Sequence, residues 1–255
     1  MKRIGHTLRG FLEWVSVRLP HRIIIDNAKS FGDFGKTDIN YSTSLLKEQC
    51  SREHIFGVPG TNLQFLDVGA RDGKLEYLLG ITKNLAFDKE LYEKNSVKFY
   101  EKYRYFGCDI QPCETNQMLI GDICDEHFLD AHSEYREFFD VVYSNNVFEH
   151  LKEPWGAARN IMQILKFGGI CITIAPFSIR YHESPGDYFR FTHQGLVRLF
   201  ERVGKVETLT AGYDITGRRN DWQGIGVNND VVPTDHFGAW RENWFAVAVV
   251  RKLAS

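Results

Sequence analysis

The sequence predicts an α/β fold built on a mostly parallel sheet, and three observations carry that expectation. From Leu63 onward, short apolar runs alternate with stretches of helical periodicity, the pattern of βαβ units. Several of these runs end in an acid or a glycine, where a strand leaves its sheet. The run Ile170 to Ala175 is apolar and β-branched without alternation, as a central strand covered on both faces must be.

Length and composition agree. The 255 residues suffice for one such domain with an appendage, and 43% hydrophobic, 14% aromatic and 25% charged residues exclude a disordered or low-complexity chain. Lys and Arg number 31 against 33 Asp and Glu, for a net charge of −2, so no nucleic-acid partner is expected. Five cysteines, Cys50, Cys108, Cys113, Cys124 and Cys171, form no C-x-x-C pair, and their odd number argues against a secreted disulfide framework. A cytoplasmic location is expected, peripheral to a membrane if the N-terminus attaches there.

Taken in order, residues 2–22 read as a basic amphipathic helix. Ile4, Leu8, Phe11, Leu12, Val15 and Leu19 recur at helical spacing among Lys2, Arg3, Arg9, Arg18 and Arg22, and Pro20 ends the pattern. Such a helix covers a core, self-associates or lies on an anionic membrane surface. Residues 26–60 are polar turn material with a short helix around Leu45 to Cys50, so 1–60 is expected as a helical extension and 61–255 as the main domain. Leu63 to Val68 reads as the first strand, Tyr103 to Ile110 as the second, a short strand precedes Gly121, and Phe139 to Ser144 is the fourth. A helix is expected from Glu153 to Lys166, closed by Phe167-Gly168-Gly169 in left-handed geometry. Thr192 then caps a helix carrying Leu196, Leu199, Phe200 and Val203. Late strands are expected near Val206 to Thr210 and Trp244 to Val250, with long insertions near 74–104 and 211–243.

Chemistry concentrates at the strand ends. The turn Asp67-Val68-Gly69-Ala70-Arg71-Asp72-Gly73 has an acid before its first glycine and lacks the second glycine of a dinucleotide site. Negative charge there opposes a pyrophosphate and suits a cationic ligand such as S-adenosylmethionine, which carries an ammonium and a sulfonium. Asp109, ending the second strand before Ile110, can accept both hydroxyl protons of a ribose. Asp122 follows the short third strand in Gly121-Asp122-Ile123-Cys124-Asp125, and the fourth strand ends in Ser144-Asn145-Asn146-Val147-Phe148-Glu149-His150.

On these segments the chain resembles the class I S-adenosylmethionine-dependent methyltransferases of the type 11/23-like group, over residues 63–252. The resemblance implies a Rossmann-like, doubly wound, seven-stranded and mostly parallel sheet with a reversed last strand. It implies S-adenosyl-L-methionine as cofactor, with Asp67, Gly69 and Gly73 at the methionyl end, Asp109 at the ribose, Asp122 with the Ile123 backbone at the adenine, Asn145 at the amino group, and Ile110 among the cofactor-binding residues. Arg71 stands where the family often has a second glycine, so its side chain is expected to point away, to meet the cofactor carboxylate or to pair with a surface acid. The distance from Asp67 to Asp109 is about twice the roughly 20 residues usual between turn and ribose acid. Either an insertion fills residues 74–104, or Asp88 is the ribose ligand.

The stretch after the fifth strand is similar to an H-x-x-P-x-D-Y-x-R-F-T segment found in some of these enzymes, here His182 through Thr192. His182 and His150 are the candidate bases, Asp187 an orienting partner and Arg190 an anchor for an anionic acceptor, and a Asp187–Arg190 pair with two structural histidines is the plainer alternative. Arg218, Arg219, Trp222, Trp240 and Arg241, with Asn228, Asn229 and Asp230, offer faces for a sugar-like ring. No metal is expected: Asp230, Asp235 and His236 match no ligand spacing. The expected function is O-methylation of a small-molecule or sugar-like acceptor, against a non-catalytic binding module docked to a partner or membrane.

Overall fold

A computed structural model describes residues 47–72, 74–82, 87–112, 117–179, 181–182, 186–218 and 242–254. The amphipathic stretch 2–22, Gly73 and the tryptophan-bearing part of 211–243 lie outside the described residues. The sheet belongs to the unit Leu45–Ser255.

Its elements are α1 (Lys47–Gly57), β1 (Leu63–Val68), α2 (Lys74–Gly80), α3 (Lys89–Lys102), β2 (Tyr103–Asp109), β3 (Met118–Ile120), α4 (Phe128–Ala131), β4 (Phe139–Asn145), α5 (Pro154–Ile164), β5 (Leu165–Ser178), α6 (His193–Glu201), β6 (Val206–Arg218) and β7 (Glu242–Lys252). The seven strands order as β3-β2-β1-β4-β5-β7-β6. Strands β1 to β5 pair in parallel, and β7 runs antiparallel to both β5 and β6. The Rossmann-like, seven-stranded sheet with its reversed last strand is therefore present.

Both faces are covered, which explains the unbroken apolar runs. Phe65, Val141, Tyr143, Ile172 and Val247 bury one face under α1, α2 and α3. Leu66, Val142, Cys171 and Ala246 bury the other under α4, α5 and α6. Phe65 anchors the first layer, meeting Phe99 edge-on with ring centroids 4.9 Å apart. Among the described cysteines, Cys50, Cys108, Cys124 and Cys171 are free thiols.

Several boundaries differ from expectation. The helix α1 falls inside the stretch 1–60 expected as an extension, yet Cys50 and Ile55 are buried in the sheet's core and α1 belongs to the main unit. The apparent insertion between β1 and β2 is a helical pair, α2 and α3. Helix α5 ends at Ile164, not Lys166, because Leu165 is already extended (φ −77°, ψ 132°) and pairs with Phe139 of β4. Lys166 then reaches the Asp140 carboxylate at 2.8 and 2.9 Å, so the left-handed Gly168 (φ +80°) bends a strand instead of closing a helix. Strand β6 continues to Arg218 because Ala211 and Tyr213 pair with Ala248 and Ala246 of β7. Among the described residues no helix is long and apolar enough to cross a membrane.

Candidate functional site: a cleft at the switch point of the sheet

From β1 the chain winds outward through β2 to β3, and from β4 it winds the other way through β5. The carboxyl ends of β1 and β4 therefore flank the topological switch point, where open α/β sheets bind ligands. A cleft of about 510 Å³ opens there, within the range of small-molecule sites.

Gly69 makes the turn after β1 with φ +76°, and its N–H donates to the Cys108 carbonyl at 2.8 Å. Asp109 ends β2 with its carboxylate toward the cleft. Its Oδ1 accepts the Gln111 N–H at 3.2 Å and its Oδ2 the Arg71 N–H at 3.4 Å. Two backbone donors orient the group while a carboxylate retains acceptor capacity for two hydroxyls. Beyond β3, Gly121 donates to the Asp109 carbonyl at 3.0 Å, and Asp122 Oδ1 accepts the Cys124 N–H at 2.9 Å. Asn160 of α5, 2% exposed, donates to the carbonyls of Ile123 and Asp125 at 2.8 and 2.7 Å and so pins this loop.

Of the residues singled out in the sequence, Gly69, Asp109, Ile110, Asp122, Ile123 and His150 line the cleft. Asp67 and Asn145 do not. Strand alternation turns both onto the sheet face opposite Val68, where Asp67 accepts the Tyr105 hydroxyl at 3.0 Å and Asn145 is buried. Asn146, left-handed at φ 55°, lines the cleft in place of Asn145. Arg71 does not point away: it lines the cleft and donates to Gln111 Oε1 at 2.8 Å. Asp88 caps α3 by accepting the Leu91 N–H at 3.0 Å and is not a cleft residue, which leaves Asp109 as the acid at the strand end. Lys152 and Tyr188 complete the wall and were not legible beforehand.

His182 and Asp187 stand behind His150 and do not line the cleft. The two imidazole rings meet edge to face, with centroids 5.0 Å apart. His150 donates from Nδ1 to the Gly186 carbonyl. Asp187 accepts the His182 N–H at 2.8 Å and a bidentate pair of donors from Arg190, so Arg190 serves this pair and is no anchor in the cleft. Burial alone would raise the Asp187 carboxyl, but the Arg190 and His182 hydrogen bonds and the Arg190 charge outweigh it and hold its pKa below the usual carboxylate value. Glu149, which sequence reasoning passed over, is fully buried beside both histidines.

The sheet order and the cleft at its switch point define a Rossmann-like fold of the methyltransferase kind. Residues 95–173, from α3 to the middle of β5, match the family model described as a methyltransferase domain. No curated protein matches the chain. Similar solved structures include an S-adenosylmethionine-dependent methyltransferase from Archaeoglobus fulgidus, at 14% identity and TM-score 0.48 over 82% of this chain and 95% of that one. Another is a putative sarcosine dimethylglycine methyltransferase from Galdieria sulphuraria, at 14% identity and TM-score 0.48 over 81% and 85%.

The cleft's own chemistry fits S-adenosylmethionine, the cofactor that family and fold imply. Its apolar walls include Ile110, which is 57% exposed and gives a flat base something to pack against. Its acids, Asp109 and Asp122, offer acceptors of the kind that ribose hydroxyls and the exocyclic amine of a base require.

Proposed function

We propose that this methyltransferase domain moves the methyl group of S-adenosylmethionine to an oxygen of a small-molecule or sugar-like acceptor. The observation that carries this reading is the Asp109 carboxylate, held by two backbone amides at the lip of the switch-point cleft. In that reading Asp109 takes the ribose hydroxyls, Ile110 and Ile123 pack on the adenine, and Asp122 with the Ile123 backbone holds its edge. Gly69 brings the β1 turn to the methionyl end, beside Asn146 of the cleft wall. When bound, S-adenosylmethionine supplies a methyl on a positively charged sulfur, open to in-line attack.

Methyl transfer to oxygen requires the acceptor hydroxyl to be aligned and activated. His150, on the cleft wall, and His182, behind it, are the groups we assign to that task, with Asp187 orienting His182. The polar stretch 219–241 supports a sugar-like acceptor by its composition, through its tryptophans, arginines and asparagines.

The test is incubation with isotope-labelled S-adenosylmethionine against nucleotide sugars, small alcohols and lipids, read by mass spectrometry. Label on a hydroxyl oxygen of one class supports the reading. Label only on carbon or nitrogen would overturn the oxygen assignment, and no transfer in a cofactor-binding protein would favour the binding-module alternative.

A further inference from the structure

Glu149 is 0% exposed, although its neighbour His150 lines the cleft. Removing an ionised carboxylate from water costs several kcal/mol unless positive charge meets it. Two imidazoles approach one of its oxygens: His150 Nε2 lies 3.7 Å from Oε1 and His182 Nε2 lies 4.0 Å from the same atom. One ligand atom from each of the three residues falls within 4.8 Å of the others. These separations are too long for hydrogen bonds. They approach the spacing of ligands around a cation, since tetrahedral bonds of about 2.1 Å set neighbouring ligand atoms about 3.4 Å apart.

The opposite ring nitrogens carry the argument further. A carbonyl only accepts, so the His150 bond to Gly186 places a proton on Nδ1 and makes Nε2, which faces Glu149, the nitrogen that a metal ion would take. His182 sets its Nδ1 3.6 Å from Asp187 Oδ2, a carboxylate held by Arg190. The carbonyl that holds the His150 ring through Nδ1 is the support that metal-bound histidines use, and the Asp187 carboxylate stands close behind the other ring. We propose that Glu149, His150 and His182 bind one divalent first-row metal ion, with Zn²⁺ the best match. Two imidazoles and a carboxylate are borderline ligands that suit Zn²⁺ over the all-oxygen shells of Mg²⁺ and Ca²⁺. Three protein ligands leave a coordination position open, and through His150 the site borders the cleft. Resting on the methyl-transfer reading, that position takes the acceptor oxygen; coordination acidifies its hydroxyl, whose proton passes to solvent, so the two imidazoles activate the acceptor as ligands of the metal and not as bases. The ligands come from two separate segments, which is why no spacing pattern reveals them.

The test is calorimetric titration of metal-stripped protein with Zn²⁺, in the absence of any cofactor, alongside visible spectra of the Co²⁺-substituted protein. One equivalent binds the wild type, and His182→Ala and Glu149→Gln each weaken it about tenfold or more and alter the Co²⁺ bands. The His182 side chain is 41% exposed, so His182→Ala tests the site even if the buried Glu149 variant fails to fold. Wild-type affinity weaker than about 1 mM, or an unchanged affinity in His182→Ala, overturns the site and leaves an internal carboxylate–imidazole cluster. S-adenosylhomocysteine binding to the same stripped protein is read separately: its loss sinks the cofactor reading and not the metal site.

Discussion

Gly69, at the end of β1, and Val147, just past β4, approach so closely that a methyl group added to Gly69 would overlap the Val147 side chain. Gly69 also holds φ +76°, which an L side chain rarely adopts. Gly69→Ala is expected to cost about 2 to 5 kcal/mol of stability, from backbone strain and overpacking together. Adding Val147→Ala should recover the packing part, about 1 kcal/mol or more. Urea unfolding of the single and double variants measures both, and no recovery would show that the contact is not the constraint.

Asn160 ties α5 to the loop after β3 through two carbonyls. Asn160→Ala is expected to cost about 1 to 3 kcal/mol, because one buried and one part-buried acceptor lose their donor. The loosened loop should also weaken S-adenosylhomocysteine binding by about fivefold, with Asp109 untouched. Unfolding midpoints and calorimetry check the two effects, and Asn160→Asp, which turns an acceptor toward those carbonyls, should be worse than Ala.

Asp214 of β6 is fully buried, and its Oδ2 accepts the Lys47 N–H at 3.0 Å. Burial pushes its carboxyl from 3.8 up to about 6, against the opposing pull of the Lys47 charge and N–H. The folded state therefore holds more protons than the unfolded state across that window, so stability falls as pH rises from about 4 to about 6. Asp214→Asn should remove about 2 to 3 kcal/mol of that slope and stabilise the protein at neutral pH. Denaturation at pH 4, 5, 6 and 7 checks the sign, and an unchanged slope in the variant would refute it.

Where local chemistry and tertiary pairing agree, the sequence was readable. Leu63–Val68 is an apolar run stopped by a glycine turn, and it is β1 to the residue. Thr192 caps α6 through the Gly195 N–H, as its hydroxyl and the following apolar periodicity indicate. Where pairing overrides local preference, it was not. Gly168 and Gly169 resemble a helix end, but Leu165 had already joined β4. Polar residues after Thr210 resemble a loop until β7 pairs with them. At the site, strand alternation turns Asn145 away, and the left-handed conformation of Asn146, which no sequence pattern marks, goes with that residue lining the cleft instead. Glu149 was visible in the run Val147-Phe148-Glu149-His150, but a glutamate reads as solvent-facing, and only its burial between two histidines gives it a role.

The central claim is that Asp109 anchors the nucleoside of S-adenosylmethionine at the switch point. Side-by-side calorimetry of wild type, Asp109→Ala and Asp88→Ala with S-adenosylhomocysteine and NAD tests it most directly. The account predicts stoichiometric binding of S-adenosylhomocysteine by the wild type and none of NAD. It predicts a loss of about 2 to 3 kcal/mol, or roughly 30- to 150-fold, in Asp109→Ala. Asp88→Ala should keep its affinity and give up only about 1 kcal/mol of stability as a lost helix cap. Unchanged affinity in Asp109→Ala, or binding of NAD in place of S-adenosylhomocysteine, would contradict it.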